Sequence, residues 1–221
     1  MEGQNLITSS LLDSYAYYKT TKNKITAFYD FVSMLRREKR PTPAPAQRGI
    51  DFENLICHNC NNMDIPELLE KAEQMYNGQE NPYVIKVMAD KCRGGEQQAK
   101  VFKDIDVNGT TYHLFGYADI LFPLKILDIK TCGRYKGEQY YRDRVQHHIY
   151  SVCTGIDVFE YVIADFENTS APQSYKEVSL VLNPEKSMEV ISSRIEELMF
   201  FLKQKNLYDD YVNIFSRNHK D

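Results

Sequence analysis

The spacing of hydrophobic residues predicts that the first third of the chain is helical. Apolar residues recur every three or four positions over residues 7–40, and Ser9 or Ser10 is the expected N-cap of the first helix. The proline-rich stretch 41–46 interrupts this spacing and predicts an extended loop. Two further helices are expected at about 48–57 and 65–76.

The middle of the chain changes to a two-residue period, which is typical of β-strands. Alternating segments at 97–107 and 110–121 flank Asn108-Gly109, a dipeptide that favours tight hairpin turns. Shorter apolar or alternating segments predict three more strands, at 125–130, 159–165 and 175–182. We therefore expect a hairpin followed by strands that extend the same sheet.

Helices separate and follow these strands. One is expected at about 137–154, one begins at Asn183-Pro184, and a short one lies near 207–215. This order predicts an α/β fold in which a central mixed β-sheet is flanked by helices, with helical additions at both termini. The length fits one domain over residues 1–221, and its expected parts are helices at 7–76, a core at 96–166, and a C-terminal strand and helices at 174–217.

Composition excludes some classes of function. The net charge is −4, so no global basic field indicates nucleic-acid binding, although basic residues cluster within 36–48 and 134–144. No apolar run reaches membrane-spanning length and no signal peptide is recognisable, so we expect a cytoplasmic protein without a membrane partner. Five irregularly spaced cysteines fit a reducing compartment, and the absence of a Gly-x-x-x-x-Gly-Lys-Ser/Thr loop predicts no use of ATP.

Two carboxylates on consecutive short strands are the clearest chemical feature of the sequence. Asp119 ends the apolar segment that contains Gly116, and the next strand carries Asp128-Ile129-Lys130. Because residues i and i+2 of a strand share a face, Asp128 and Lys130 should point the same way. Two acids beside a lysine can hold a divalent cation and activate water against a phosphodiester. An isolated Asp-x-Lys is weak support, since charged residues are common at strand ends.

Residues outside these two strands strengthen the hypothesis. Gln146 and Tyr150 are four residues apart on the helix expected after Lys130, so they should share one helix face. Glu53 follows Arg48-Gly49 and could reach the metal as a third acid, although an ordinary surface glutamate fits the same pattern.

Gly116-x-x-Asp119, Asp128-x-Lys130 and Gln146-x-x-x-Tyr150, in this order, resemble the PD-(D/E)xK nuclease superfamily. The resemblance is to its RecB-like branch, which includes phage-type (YqaJ-like) alkaline exonucleases and CRISPR-associated exonucleases. The opening Ile7–Tyr15 is similar to the start of that branch's N-terminal helix, and Arg48-Gly49-x-x-Phe52-Glu53 falls where the family carries its first motif. The resemblance covers about residues 7–165 and implies a restriction-endonuclease-like core.

The resemblance implies phosphodiester hydrolysis that depends on Mg²⁺ or Mn²⁺. The implied metal ligands are Glu53, Asp119, Asp128 and the backbone carbonyl of Ile129. Lys130 would be the catalytic lysine, and Gln146 and Tyr150 would hold the DNA backbone or the water of the active site. Glutamate at position 53, where RecB and CRISPR-associated members usually have histidine, favours the phage-type enzymes. The basic residues expected to meet DNA phosphates are Arg48, Arg134, Lys136, Arg142 and Arg144.

Several side chains near these arginines have two interpretations. Tyr135, Tyr140 and Tyr141 could stack on a frayed DNA end or pack against the fold. His147 and His148 could contact a phosphate or be packed histidines.

The expected activity is exonucleolytic cleavage of linear double-stranded DNA ends, in recombination, repair or phage DNA processing. A homo-oligomer and a recombinase or single-strand annealing partner stay open. The alternatives are a nuclease that acts on RNA or in CRISPR adaptation, and a non-catalytic DNA-binding adaptor that keeps the fold. No iron–sulfur cluster is expected, because such a cluster needs four thiolates and no cysteine follows Cys153.

Overall fold

The computed structural model of the protein describes residues 5–215, and its centre is a six-stranded mixed β-sheet. The long third strand organises this sheet, because the second strand pairs along one of its edges while the first and fourth strands share the other. The first strand pairs with the third, and the fourth with the fifth, in parallel; the remaining pairs are antiparallel. The strands are β1 (Asn5–Thr8), β2 (Glu96–Val107), β3 (Thr110–Phe122), β4 (Lys125–Cys132), β5 (Val158–Asp165) and β6 (Ser174–Val181).

Helices cover both faces of the sheet, which confirms the α/β fold expected from the sequence. Phe31 and Ile195 belong to the apolar core on one face, and Phe52 and Ile85 belong to the core on the other. The helices are α1 (Ser9–Thr20), α2 (Lys24–Leu35), α3 (Ala44–Cys57), α4 (Ile65–Tyr76), α5 (Pro82–Cys92), α6 (Glu138–Arg142), α7 (Gln146–Thr154), α8 (Pro184–Gln204) and α9 (Tyr208–Asp210), and a π-helical turn, Tyr211–Phe215, follows. None of the helices between residues 5 and 215 combines the length and the hydrophobicity of a membrane span.

The N-terminal elements differ from the expectation at two points. Strand β1 takes up residues 7 and 8 of the segment expected to be helical, and the N-cap of α1 is Thr8 instead of Ser9 or Ser10; the Thr8 hydroxyl accepts from the backbone N–H of Leu11 at 3.2 Å. Pairing with β3, a contact distant in sequence, decides this conformation. Helix α3 also begins at Ala44, inside the stretch expected to be extended, because proline is tolerated in the first turn of a helix.

Two further differences concern helices later in the chain. Helix α5 was not expected, although Asn81-Pro82 opens it with the same cap that correctly predicts the start of α8 at Asn183-Pro184. The helix expected at 137–154 is divided into α6 and α7, because the backbone N–H of Val145 donates to the Asp13 carboxylate at 3.1 Å. Residues 1–4 and 216–221, which include the end of the C-terminal segment expected at 174–217, lie outside the described residues.

Candidate active site

Asp119 lies where strands β3 and β4 separate. The registered pairs between these strands run from Ile120 with Leu127 to Phe122 with Lys125. Beyond Ile120 the ladder stops, and a carboxylate oxygen of Asp119 accepts a hydrogen bond from the backbone N–H of Ile129 at 2.8 Å. Asp119 is 8 % exposed, so the fold holds this carboxylate in a nearly dry position beside β4.

Asp128 is the most deeply buried charged group of the site. It is 0 % exposed, and its two carboxylate oxygens meet different partners: Lys130 Nζ at 2.5 Å and the Gln146 amide nitrogen, which donates at 2.6 Å. The ion pair confirms that Asp128 and Lys130 point the same way. The Gln146 amide also donates to the Tyr150 hydroxyl at 3.3 Å, which confirms that these two residues share a helix face.

Two glycines in the motifs are explained by close packing around this site. The Tyr150 ring lies 2.5 Å from where a Cβ of Gly116 would be, and the Tyr150 hydroxyl donates to the carbonyl of Tyr117 at 2.8 Å. A Cβ on Gly49 would lie 2.8 Å from the hydroxyl oxygen of Thr131, near the end of β4. Gly116 thus lets α7 approach β3, and Gly49 lets α3 approach β4.

Glu53 reaches the site from α3 through a residue that sequence reasoning missed. The Gln98 amide nitrogen lies 3.0 Å from a carboxylate oxygen of Glu53 and 3.4 Å from one of Asp119, so it bridges the two acids. Gln98 has φ 48°, the left-handed region, and no registered pair forms between it and Asp119. Counting back from the Asn108-Gly109 turn places Gln98 opposite Asp119, so the hairpin register could have found it.

Asp13 is a second residue that the sequence did not assign to the site. One of its carboxylate oxygens accepts from the Val145 N–H, and the other lies 3.7 Å from an Arg144 guanidinium nitrogen. Burial raises the pKa of Asp13, the charges of Arg144 and Lys130 oppose this rise, and that of Asp128 adds to it. Asp13 therefore belongs to the same electrostatic cluster as the expected ligands.

The charges of the cluster are not balanced. Burial raises the pKa of Asp119 well above its ordinary value, and repulsion from Asp128 raises it further. The pKa of Glu53 is also raised, again mainly by burial. Burial lowers the pKa of Lys130, but attraction to Asp128 and Asp119 outweighs this effect and raises it overall. Four acids thus share the charges of Lys130 and Arg144, and a divalent cation would neutralise the excess.

The donor set fits a hard divalent cation better than a soft one. Within residues 5–215, no three His, Cys, Asp or Glu side chains are grouped closely enough to hold a metal as they stand. Magnesium needs fewer protein ligands than that, because it is usually held by one or two carboxylates and keeps several waters. Asp119, Asp128 and the Ile129 carbonyl offer only oxygen, and Cys57, Cys60 and Cys92 are buried thiols whose pKa values burial raises.

The residues expected to bind DNA are in varied surroundings. Arg134 and Lys136 are exposed on the loop after β4. Arg142 pairs with Glu138, and Arg48 donates to the carbonyl of Thr169 at 2.9 Å. Arg144 is engaged with Asp13 and with the ring of Tyr140. Tyr150 is buried and its hydroxyl is occupied, so direct contact with the DNA backbone does not fit its position.

The remaining aromatic and histidine candidates are mostly packed. Tyr141 is buried and stacks with Tyr135 at 5.8 Å between ring centroids, whereas Tyr140 is exposed. His147 is buried and its Nδ1 lies 3.0 Å from the Tyr161 hydroxyl. Nδ1 of His148 lies 2.9 Å from the hydroxyl of Ser187. The packing alternative therefore describes Tyr141, His147 and His148.

Comparisons with known proteins give similarity of structure only. No family model matches the chain, and no curated protein matches it. Solved structures similar to it include the protein SSO0001, with a TM-score of 0.48 and 14% identity over 89% of this chain and 78% of that one. They also include an alkaline exonuclease (LHK-Exo) from Laribacter hongkongensis in complex with dAMP, with a TM-score of 0.42 and 14% identity over 91% of this chain and 93% of that one. Similarity at this level does not assign an activity.

Proposed function

We propose that the protein is a metal-dependent nuclease that hydrolyses DNA phosphodiester bonds. The observation that carries the proposal is the buried pair Asp119 and Asp128 beside Lys130, in a cluster with excess negative charge. Burying ionised carboxylates costs free energy unless a partner compensates them, so folds keep such clusters where a cation or a reaction uses them. The motif resemblance indicates the class of reaction, which is phosphodiester hydrolysis.

The roles of the side chains follow from their positions. Asp119, Asp128, Glu53 and the Ile129 carbonyl would hold Mg²⁺ or Mn²⁺, which when bound would neutralise phosphate charge and lower the pKa of water. Attraction to Asp128 and Asp119 raises the pKa of Lys130, and as a charged group it would donate to a phosphate oxygen or orient the water. Gln146 would hold Asp128 in place, and Tyr150 would fix the hairpin against α7.

Exonucleolytic action on linear double-stranded ends is the specific form that we propose, from the motif resemblance. Arg134 and Lys136, which are exposed near the end of β4, are the proposed phosphate contacts. An RNA-directed or CRISPR-adaptation nuclease, and a non-catalytic adaptor, remain the alternatives. An assay with end-labelled linear DNA, closed circular DNA and RNA, each with Mg²⁺, Mn²⁺ or EDTA, separates these functions.

Three substitutions test the roles of the site in that assay. Asp119→Asn, Asp128→Asn and Lys130→Met should each reduce cleavage by about 100-fold or more, because the first two remove carboxylates that would hold the metal and the third removes the ammonium group that would meet the phosphate. Asp90→Asn, at an exposed pair with Lys86 on α5, is the matched control and should cleave like the wild type. Absence of cleavage of all three substrates by the wild type with either metal would reject the nuclease proposal.

A further inference from the structure

Four aromatic rings form a continuous row along the outer face of the β2–β3 hairpin. The row consists of Phe102 on β2 and of His113, Phe115 and Tyr117 on β3, and successive ring centroids lie 5.9, 6.4 and 5.3 Å apart. Phe102 is 57 % and Tyr117 is 49 % exposed. The opposite face of the same hairpin packs into the core, and Phe115 is half-buried against that core, so the exposed ring surface of the row is mainly that of Phe102 and Tyr117.

A lysine lies beside the ring row, and the row points towards the candidate active site. Lys100 Nζ lies 5.4 Å from the centroid of Phe115, and Lys100 makes no ion pair with any residue between 5 and 215. The next alternate position after Tyr117 on β3 is Asp119, and the next after Lys100 on β2 is Gln98, which contacts Asp119. The row therefore leads along the hairpin to the carboxylates of the candidate site.

The end of the row nearest the site is fixed in place. The Tyr150 hydroxyl donates to the Tyr117 carbonyl, and the Tyr150 ring fills the space that Gly116 leaves open. Gln146 connects Tyr150 to Asp128 through its amide group. These contacts fix the backbone that carries Tyr117 relative to the carboxylates.

We propose that the ring row and Lys100 bind single-stranded nucleic acid and guide the strand to Asp119 and Asp128. Unpaired bases would stack on the exposed rings and Lys100 would meet a backbone phosphate, as in binding surfaces that combine aromatic side chains with positive charge. A duplex cannot use the row in this way, because its bases are already stacked on one another. The part of this inference in which the strand is guided to Asp119 and Asp128 rests on the proposed nuclease function.

Binding without cleavage tests this surface directly. In EDTA, fluorescence anisotropy of a labelled oligo-dT 20-mer should show that Phe102→Ala and Tyr117→Ala each weaken binding by about 10-fold, within the range known for loss of one stacked base. Phe102→Tyr and Tyr117→Phe should restore binding, because they keep the ring. Tyr29→Ala, which removes an equally exposed ring on α2, is the control and should bind like the wild type.

A second measurement locates the contact. Photocrosslinking of an oligonucleotide that contains 5-iodouracil, followed by mass spectrometry, should label Tyr117 or Phe102 peptides, and Lys100→Gln should reduce the salt dependence of binding. Equal affinity of the wild type and both alanine variants would overturn the inference, and so would the absence of single-strand binding. Light scattering could instead detect a dimer that Phe102→Ala dissociates. Such a dimer, together with no binding of single strands, would assign the surface to a second copy of the chain and would also overturn the inference.

The outcomes distinguish this inference from the proposed function. If cleavage requires Asp119 and Asp128 but the ring substitutions leave oligonucleotide binding unchanged, only the single-strand surface is rejected. Ring-dependent binding without cleavage of any substrate would reject the nuclease proposal and leave the binding surface in place.

Discussion

Asp119 combines deep burial with a raised pKa, and this combination has a measurable cost. A carboxylate whose pKa is higher in the folded state stabilises the protein at low pH, and that stabilisation is lost as the pH rises through the folded pKa. Without metal at pH 8, Asp119→Asn should therefore melt at a higher temperature than the wild type, by about 2–4 °C for each kcal/mol of repulsion removed. Thermal melts with and without Mn²⁺ check this prediction.

The same melts also show whether Asp119 holds the ion. Mn²⁺ should raise the melting temperature of the wild type and have little effect on Asp119→Asn, because binding to the folded state alone stabilises it. An equal shift in both proteins would show that Asp119 does not hold the ion.

Gln98 is the residue that we expect to set the distance between Glu53 and Asp119. Gln98→Ala removes the bridging amide, so the half-saturating Mn²⁺ concentration in the melts should rise by about 10-fold or more, as for loss of a residue that orients metal ligands. Gln97→Ala is the matched control, because the neighbouring amide contacts Cys60 instead. Identical Mn²⁺ dependence in both variants would remove Gln98 from the site.

At the scale of elements, the local sequence predicted those helices and turns whose conformation depends on neighbouring residues. The Asn108-Gly109 hairpin and the cap at Asn183 were found because their determinants lie within a few residues. Strand β1 and the break between α6 and α7 depend on β3 and on Asp13, which are more than a hundred residues away in the chain. Periodicity cannot report such contacts. The missed helix α5 is a different kind of error, because its Asn81-Pro82 cap is local.

The approach of α7 to β3 at Gly116 is a test at this scale. Gly116→Ala places a methyl group 2.5 Å from the Tyr150 ring and should destabilise the protein by about 1–3 kcal/mol, as overpacking does. Gly133→Ala is the control, since its methyl group would meet only the side chain of Asn168, at 3.3 Å. Urea unfolding measures both.

A double variant shows whether Tyr150 is the cause. If the ring produces the clash, Gly116→Ala combined with Tyr150→Ala should lose less stability than the sum of the single losses. Additive losses would mean that another contact limits the approach of the helix.

At the scale of the whole molecule, the candidate site collects side chains from six elements. The sequence located Asp119, Asp128 and Lys130 because a strand repeats every two residues, and Gln146 and Tyr150 because a helix repeats every 3.6. The positions of α1 and α3 relative to the sheet result from packing of the two cores, so no local rule could place Asp13. Glu53 was placed by family resemblance, and its metal role stays a prediction.

His147 links global stability to pH, because it is a buried base between α7 and the sheet. Burial, with the charges of His148 and Arg142, lowers its pKa from 6.5 to about 3. The unfolded chain gains a proton below pH 6.5 while the folded protein does not, so stability falls as the pH drops from 6.5 towards 3, by about 1.4 kcal/mol per unit. His147→Asn should remove this part of the slope in urea unfolding at pH 7, 6 and 5. The exposed His58→Asn should keep it, and an unchanged slope in His147→Asn would show that His147 is protonated in the folded protein.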